Sequence, residues 1–335
     1  MPLKNITGFW PVAIALGGNI FIAVIKFVAA AASGSSVMFS EAVHSVADTL
    51  NQFFLLVGIR RSVMKPSAQF EYGYGNERFF WALVSACGVL FVGAGITGYR
   101  GFLSLASPAH VEVTPLVIFV LLISLAIEGY TFSVAAKELE KAMPEDNWWK
   151  RVRRADPSTL AVVLEDGIAV LGVIVALLSL GLAYYTGQGI WDALGSLAIA
   201  ALLGFAAITL ILKNRLYLIG QSMPAMMREE VITLVEADPA IEKVIDFKSS
   251  TLGLGSYRIK CEVEFNGPAL LRDAYREDGM REEFDDVDGD FEEFKKFLSD
   301  YADRIPRLIG KRIDLIETAI RKRFPSIRNI DIEIN

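Results

Sequence analysis

The sequence predicts an α-helical membrane protein with six transmembrane helices, followed by a small cytoplasmic α+β domain. Hydrophobic residues make up 53% of the 335 residues and charged residues only 21%, with a mean hydropathy of +0.40, which departs from ordinary soluble proteins. Residues 1–223 hold 14 acids and 15 bases, whereas residues 224–335 hold 25 acids and 18 bases. We therefore expect a transmembrane domain over 1–223 and a charged domain over 224–335. The net charge of −6 belongs to this second part and excludes a nucleic-acid partner.

Six apolar segments are long enough to cross a hydrocarbon core of about 30 Å. They are residues 9–33, 37–62, 79–105, 115–136, 159–186 and 189–213. The first is too long for a signal peptide and lacks a small-residue cleavage site. Because only about eight residues precede it, a transit peptide is not expected either, which favours a prokaryotic plasma membrane over an organelle.

The distribution of basic residues predicts the orientation of these segments. Bases follow the second segment and the fourth, whereas the connections after the first and the fifth contain none. The basic residues concerned are Arg60, Arg61, Lys65, Arg78, Lys137, Lys141, Lys150, Arg151, Arg153 and Arg154. By the positive-inside rule, both termini lie in the cytoplasm.

Glycines predict one pair of neighbouring helices. The third segment contains Gly88, Gly93, Gly95 and Gly98, and the sixth contains Gly195 and Gly204. Small residues let membrane helices approach closely, so these two segments are candidates to pack together. The alternative is that glycine is simply common in membrane helices.

Three ionisable residues share one face of the second segment. Glu41, His44 and Asp48 stand at positions i, i+3 and i+7, so a helix presents them on the same side. Ionisable groups at membrane depth are costly and mark functional sites. An imidazole and a carboxylate four residues apart can bind one divalent cation, and suit Zn²⁺ better than Mg²⁺ or Ca²⁺. The alternative is a His44–Asp48 pair that serves packing alone.

The fifth segment supplies a second acidic pair, Glu165 and Asp166. Adjacent residues point about 100° apart on a helix, so both cannot face one point well. Asp166 is the expected metal ligand. Glu165 is a weaker ligand, a proton carrier or the partner of a neighbouring helix.

Other ionisable residues in the apolar segments receive weaker assignments. Glu128 in the fourth segment is either a proton relay or an acid that reaches toward Lys137. Lys26 and Asp192 are expected near the membrane interfaces or hydrogen-bonded to neighbours, in structural roles. Glu41 is a second candidate for proton relay or for support of the metal ligands.

These motifs resemble the cation diffusion facilitator family, whose members exchange metal ions for protons. The resemblance rests on GSSVMFSEAVHSVAD at 34–48 and on six segments followed by a charged tail. The sequence is more closely similar to the zinc transporter 9-like branch, through DPST at 156–159, VLED at 163–166, AVLG at 169–172, DFK at 246–248 and LGLG at 252–255. Together these motifs cover most of the chain.

The resemblance implies a metal site of two residues on the second helix and two on the fifth. His44 and Asp48 match the first pair, and Asp166 matches one member of the second. Val162 stands where the family carries His, Asp or Asn, which leaves tetrahedral zinc one ligand short. The candidates for the fourth ligand are Glu165, Glu128, Asn19 and water.

A second, loop-borne metal site of the family is missing. Residues 70–77 read FEYGYGNE, with aromatic residues where some members carry histidines. The other histidine of the chain, His110, falls in an outer loop and is expected to be solvated.

The tail is similar to the family's ferredoxin-like α+β domain, which implies a homodimer. Its pattern predicts a helix at 226–237, strands at 243–250 and 257–265, a helix at 307–323 and a strand at 329–334. Residues 267–306 form an acidic insert, expected as a solvated loop with a helix at 292–301. An EF-hand is excluded because Gly289 is not sixth after a suitable aspartate.

The resemblance implies efflux of divalent metal from the cytoplasm, Zn²⁺ above all, by proton-coupled alternating access. The expected partners are metal ions, protons, membrane lipid and a second copy of the chain, with no organic cofactor and no nucleic acid. Two alternatives remain: transport of Mn²⁺, Fe²⁺ or Co²⁺, and a membrane-anchored metal sensor or scaffold without flux. An enzyme is not expected, since neither a nucleophile nor a phosphate loop stands out, and Cys87 and Cys261 are expected as free thiols.

Overall fold

The structure of the protein is a computed structural model that describes residues 9–108, 111–144, 146–155, 157–274, 277–287 and 289–335. The chain divides into two units, one ending at Ile219 and the other spanning Gly220–Asn335.

Apolar helices build the first unit. In chain order they are α1 Phe9–Ser33, α2 Ser36–Ser62, α3 Glu77–Gly88, a π-helical segment Val89–Ala94, α4 Gly95–Ala106, α5 Pro115–Ala142, α6 Trp148–Arg154, α7 Pro157–Thr186 and α8 Ile190–Ile219. Five helices of the described residues are long and apolar enough to cross a membrane: α2, the continuous helix Glu77–Ala106, α5, α7 and α8. Helix α1 contributes a shorter apolar helical stretch, Asn19–Ser33. These helices confirm the predicted fold class.

The helices extend beyond the predicted apolar segments at several ends. Helix α5 continues to Ala142, although its predicted segment ends at residue 136, and α8 continues to Ile219. Hydropathy shows only where a segment is apolar. Because Lys and Glu have high helix propensity, a helix can continue beyond the end of its apolar part. The π-helical segment and α6 were not predicted.

Helix α8 packs against the third membrane helix, which confirms the pairing expected from glycines. A methyl group placed on Gly98 would lie 3.6 Å from Ala200 Cβ, and one on Gly204 would lie 3.8 Å from Ala94 Cβ. Gly101, which the glycine argument missed, is tighter still, because its methyl group would lie 3.0 Å from Leu197 Cγ. Close approach of these helices therefore depends on small residues from both sides.

The start of α2 is fixed by an aspartate from α8. Ser35 caps the helix by accepting a hydrogen bond from the Met38 N–H at 3.0 Å. The buried Asp192 carboxylate accepts from the Ser36 N–H at 2.6 Å, the Val37 N–H at 3.2 Å and the Ser35 hydroxyl. A carboxylate at a helix N-terminus satisfies free N–H groups and complements the helix dipole. These contacts confirm that Asp192 is hydrogen-bonded to a neighbouring helix, as expected.

The second unit is a small α+β domain, as predicted. Its elements are α9 Ala225–Glu236, β1 Ile241–Gly253, β2 Ser256–Phe265, α10 Gly267–Ala274, α11 Glu277–Val287, α12 Phe291–Arg323 and β3 Ile327–Ile334. The sheet has the order β1-β2-β3, with β1 and β2 antiparallel and β2 and β3 parallel. Side chains of α9 and α12, including Val231 and Ile320, share a buried core with Ile259 and Cys261 of the central strand.

The described part of the acidic insert is largely exposed and contains the expected helix at 292–301 within α12, but its remainder is helical, so the predicted loop is wrong. Apart from residues 275, 276 and 288, which lie outside the described part, residues 267–306 are largely helical, and α12 continues through Pro306. An apolar cavity of about 470 Å³ between these helices is lined partly by Phe284, Phe294 and Tyr301. The aromatic residues of this apolar face recur at helical spacing among the acidic residues, which indicates packing rather than a loop.

Candidate metal centre

Helix α2 brings Glu41, His44 and Asp48 to one face. Glu41 is fully buried and His44 is 2% exposed, whereas the Asp48 side chain is 25% exposed. The Nδ1 atom of His44 lies 3.5 Å from Oδ1 of Asp48. The structure therefore brings together the two residues that the i, i+4 spacing paired.

The His44 imidazole is buried, and neither ring nitrogen has a hydrogen-bond partner among the residues that the structure describes. The 3.5 Å separation from Asp48 exceeds the usual N–H···O hydrogen-bond distance. Burial of an unsatisfied polar group is unfavourable, and a neutral imidazole offers one nitrogen lone pair to a metal ion or a proton. The His44 imidazole therefore has a ring nitrogen that can accept a proton or a metal ion.

Glu165 of α7 is held by an asparagine that sequence reasoning did not identify. Both Glu165 carboxylate oxygens accept from the Asn51 side-chain amide of α2. The Asn51 carbonyl oxygen in turn accepts from the Ser85 hydroxyl of α3 at 2.6 Å. In this structure, Glu165 is the partner of a neighbouring helix. The signal was present, because Asn51 follows Asp48 by three residues and His44 by seven, on the same face of α2.

Asp166 lies near the α2 pair without completing a metal shell. Its charge interacts with the charges of Asp48, His44 and Glu128. Among the residues that the structure describes, however, no three His, Cys, Asp or Glu side chains converge closely enough to hold a metal ion. Val162, at the position where the family carries a ligand, is 43% exposed.

A buried ion cluster lies beside these residues. The Lys26 ammonium of α1 is fully buried and donates to Glu41 Oε2 at 3.0 Å and to Glu128 Oε1 of α5 at 2.9 Å. Glu128 therefore pairs with Lys26, and not with Lys137 as one of the two alternatives from the sequence had it. The hydrogen bonds expected for Lys26 are confirmed. We call Lys26, Glu41 and Glu128 the lysine cluster.

The remaining predicted residues contribute little to this geometry. Asn19 is half-buried in α1. His110 lies outside the described residues. Cys87 and Cys261 are free thiols, as predicted.

Comparison with known proteins identifies the class to which these helices and this site belong. The family model of the cation efflux transmembrane domain matches residues 12–219, more than half of the chain. The chain belongs to this family, the cation diffusion facilitators, and it is an integral membrane protein. It falls in the branch that includes the SLC30A9 proteins.

Three relatives are similar over 96% of this chain. The mitochondrial proton-coupled zinc antiporter SLC30A9 is 37% identical in Mus musculus and 38% identical in Homo sapiens. Metal tolerance protein C4 of Arabidopsis thaliana is 34% identical. The alignment covers 58% of the mouse protein, 57% of the human protein and 72% of the plant protein. The chain thus spans less than two thirds of the two SLC30A9 relatives.

Proposed function

We propose that this protein moves divalent metal cations, Zn²⁺ above all, out of the cytoplasm in exchange for protons. Its membership in the cation efflux family and the printed name of the SLC30A9 relatives support this proposal. The observation that carries it is the buried His44 imidazole, which has no hydrogen-bond partner within the described part of the chain and lies 3.5 Å from Asp48 on a membrane helix.

The proposed metal ligands are His44, Asp48 and Asp166, with Glu165 as the fourth. An imidazole and carboxylates suit zinc. Each ligand binds metal in its deprotonated form, so protons and metal compete for the same lone pairs. Helix α7 must approach α2 for Asp166 to join the pair. Alternating access then consists of two arrangements of the helices, with metal and protons favouring different ones.

The setting of the transporter is part of this proposal. Bases in the connections after α2 and α5 support cytoplasmic termini through the positive-inside rule. The second unit is proposed to form a homodimer. The prokaryotic plasma membrane remains our prediction, and the names of the SLC30A9 relatives place those proteins in mitochondria. We propose a transporter without catalysis, because both the family and the relatives' names denote transport.

Zinc flux into proteoliposomes tests the function directly. With a zinc-sensitive dye inside the vesicles, we expect uptake that an opposing proton gradient accelerates. The double variant Asp48→Ala, Asp166→Ala should lose at least about tenfold in rate, because it removes two ligands. Glu138→Ala, an exposed change on α5, is the matched control. Full transport by the double variant contradicts the assignment of ligands.

Two other results would replace this proposal. Saturable zinc binding by the wild type without flux would indicate the sensor or scaffold. Faster transport of Mn²⁺, Fe²⁺ or Co²⁺ than of Zn²⁺ would indicate a metal site with harder ligands. The exposed Val162 supports this alternative, because valine stands at a position that could otherwise supply a nitrogen ligand. Competition between metals in the same vesicles separates these cases.

A further inference from the structure

The lysine cluster contains more negative than positive charge in a place that water does not reach freely. Lys26 is fully buried, Glu41 is fully buried and the Glu128 side chain is 17% exposed. Two ionised carboxylates and one ammonium leave a net charge of −1. An uncompensated charge in a medium of low polarity is costly, and a single proton on either carboxyl group removes it.

The hydrogen bonds leave a place for that proton. Lys26 occupies one oxygen of each carboxyl group, Oε2 of Glu41 and Oε1 of Glu128. The other oxygens, Glu41 Oε1 and Glu128 Oε2, are buried and have no hydrogen-bond partner in the described ranges of the chain. A carboxylate with an unsatisfied buried oxygen is a proton acceptor, and partly exposed Glu128 provides the route by which the proton exchanges with water.

The cluster interacts with the proposed metal ligands through charge. The charges of Glu41, Glu128 and Lys26 act on His44, and those of Glu128 and Lys26 act on Asp48. A divalent cation bound at the α2 pair would repel a proton held by the cluster.

The helices around the cluster contribute further ionisable groups. Besides Lys26 on α1 and Glu128 on α5, α2 presents Glu41, His44 and Asp48, and α7 presents Asp166 beside Glu165. On α8, Asp192 binds the start of α2. Among the described residues, Lys26 donates hydrogen bonds to two of these groups, Glu41 and Glu128.

We propose that the lysine cluster is a proton site separate from the metal ligands, in which Glu41 and Glu128 share one exchangeable proton beside the fixed charge of Lys26. Arrival of the divalent cation expels this proton to water, and departure of the cation lets it return. The inference rests on the proposed function, since it assigns part of the proton exchange to residues that do not bind metal.

Counting the protons released per zinc ion bound tests this inference. Isothermal titration of the full-length purified protein in buffers of different ionisation enthalpy gives this number at each pH. Glu128→Gln and Glu41→Gln keep the side-chain shape and an acceptor for Lys26, but leave a neutral cluster. At the pH where wild-type release is greatest, each should release about one proton fewer than wild type. Glu138→Gln, an exposed change on α5, should match wild type.

A second variant separates proton binding from a purely structural role. Lys26→Met removes the positive charge, so the carboxyl groups should hold their protons to higher pH. The pH profile of proton release should therefore shift upward. If Lys26 served only to hold the helices together, its removal would not change the pH profile of proton release.

The outcomes decide the proposal. Proton counts equal to wild type in both glutamine variants would overturn it, as would loss of zinc binding in them, which would make these residues metal ligands. If wild type binds and carries no zinc, the proposed function itself fails. Wild-type transport with unchanged proton counts in the variants overturns the cluster alone.

Discussion

At the scale of single residues, Asn51 joins three helices through one side chain. Its amide donates to Glu165 of α7, and its carbonyl oxygen accepts from Ser85 of α3. Because Asn51 is 4% exposed and Ser85 is 2% exposed, water cannot readily replace these bonds.

Asn51→Ala should therefore lower stability. The change removes the partners of two neighbouring groups, each of which costs about 1–3 kcal/mol when left unsatisfied. Unfolding in detergent by heat or by SDS titration measures the loss. Ser85→Ala, which removes one donor, should cost less, and Ser133→Ala, whose exposed hydroxyl bonds within its own helix, should be close to neutral. Equal stability of all three variants would contradict this role.

Cys261 is a buried thiol in the second unit. Burial on the central strand raises the pKa of its thiol to about 11, so very little of the reactive thiolate exists near pH 8.

With Cys87→Ser as background, maleimide should label Cys261 very slowly at pH 7–8. Labelling should accelerate as pH rises toward 11, because the thiolate fraction increases with pH, and it should be rapid in denaturant. Mass spectrometry follows the modified fraction. Rapid labelling of the folded protein at pH 7 would show that Cys261 is not buried.

At the scale of elements, the contact between α2 and α7 depends on Gly172. A methyl group at this position would lie 2.6 Å from Glu41 Oε1, which is too close without movement. The absent side chain therefore makes room for the lysine cluster against α7.

Gly172→Ala should destabilise the protein by about 1–3 kcal/mol, the usual cost of overpacking. It should also disturb the proposed proton-coupled zinc transport, since Glu41 must move. Gly181→Ala on the same helix is the matched control, because no atom of the described residues outside this stretch of helix lies within 4 Å of an added methyl group. That change should be neutral or stabilising by up to about 1 kcal/mol through helix propensity. Identical stability and transport in both variants would show that α7 does not press on Glu41.

At the scale of the whole molecule, the second unit has a hydrophobic core of its own. Val231, Ile259 and Ile320 are fully buried within it, and residues Gly220–Asn335 form one compact unit. A unit of this size with a continuous core meets the usual requirement for independent folding.

We expect a fragment of residues 220–335 to fold alone with cooperative thermal unfolding. Circular dichroism measures this, and sedimentation gives the oligomeric state that bears on the proposed homodimer. Ile320→Ala should lower the stability of the fragment by about 2–5 kcal/mol by creating a cavity. A fragment without cooperative unfolding would show that the core needs the membrane unit.

The sequence predicted most of the membrane helices because hydropathy and length are local properties. It also indicated His44 and Asp48, whose spacing on one helix face does not depend on the rest of the fold. The loop predicted for the acidic insert was wrong, because that prediction followed the charge of the segment. The helical spacing of Phe294, Phe297 and Tyr301 indicates packed helices instead. The sequence also left the partners of Glu128 and Glu165 open.

The class of protein, the membrane helices and the pair of residues on α2 follow from the sequence. The bonds of Lys26 to Glu41 and Glu128, 15 and 102 residues away in the chain, and of Asn51 to Glu165, 114 residues away, follow only from how the helices pack. Helical periodicity fixes which residues share a face of one helix. Which faces meet is set by the packing of small residues between helices, and that packing places the lysine cluster beside the proposed metal ligands.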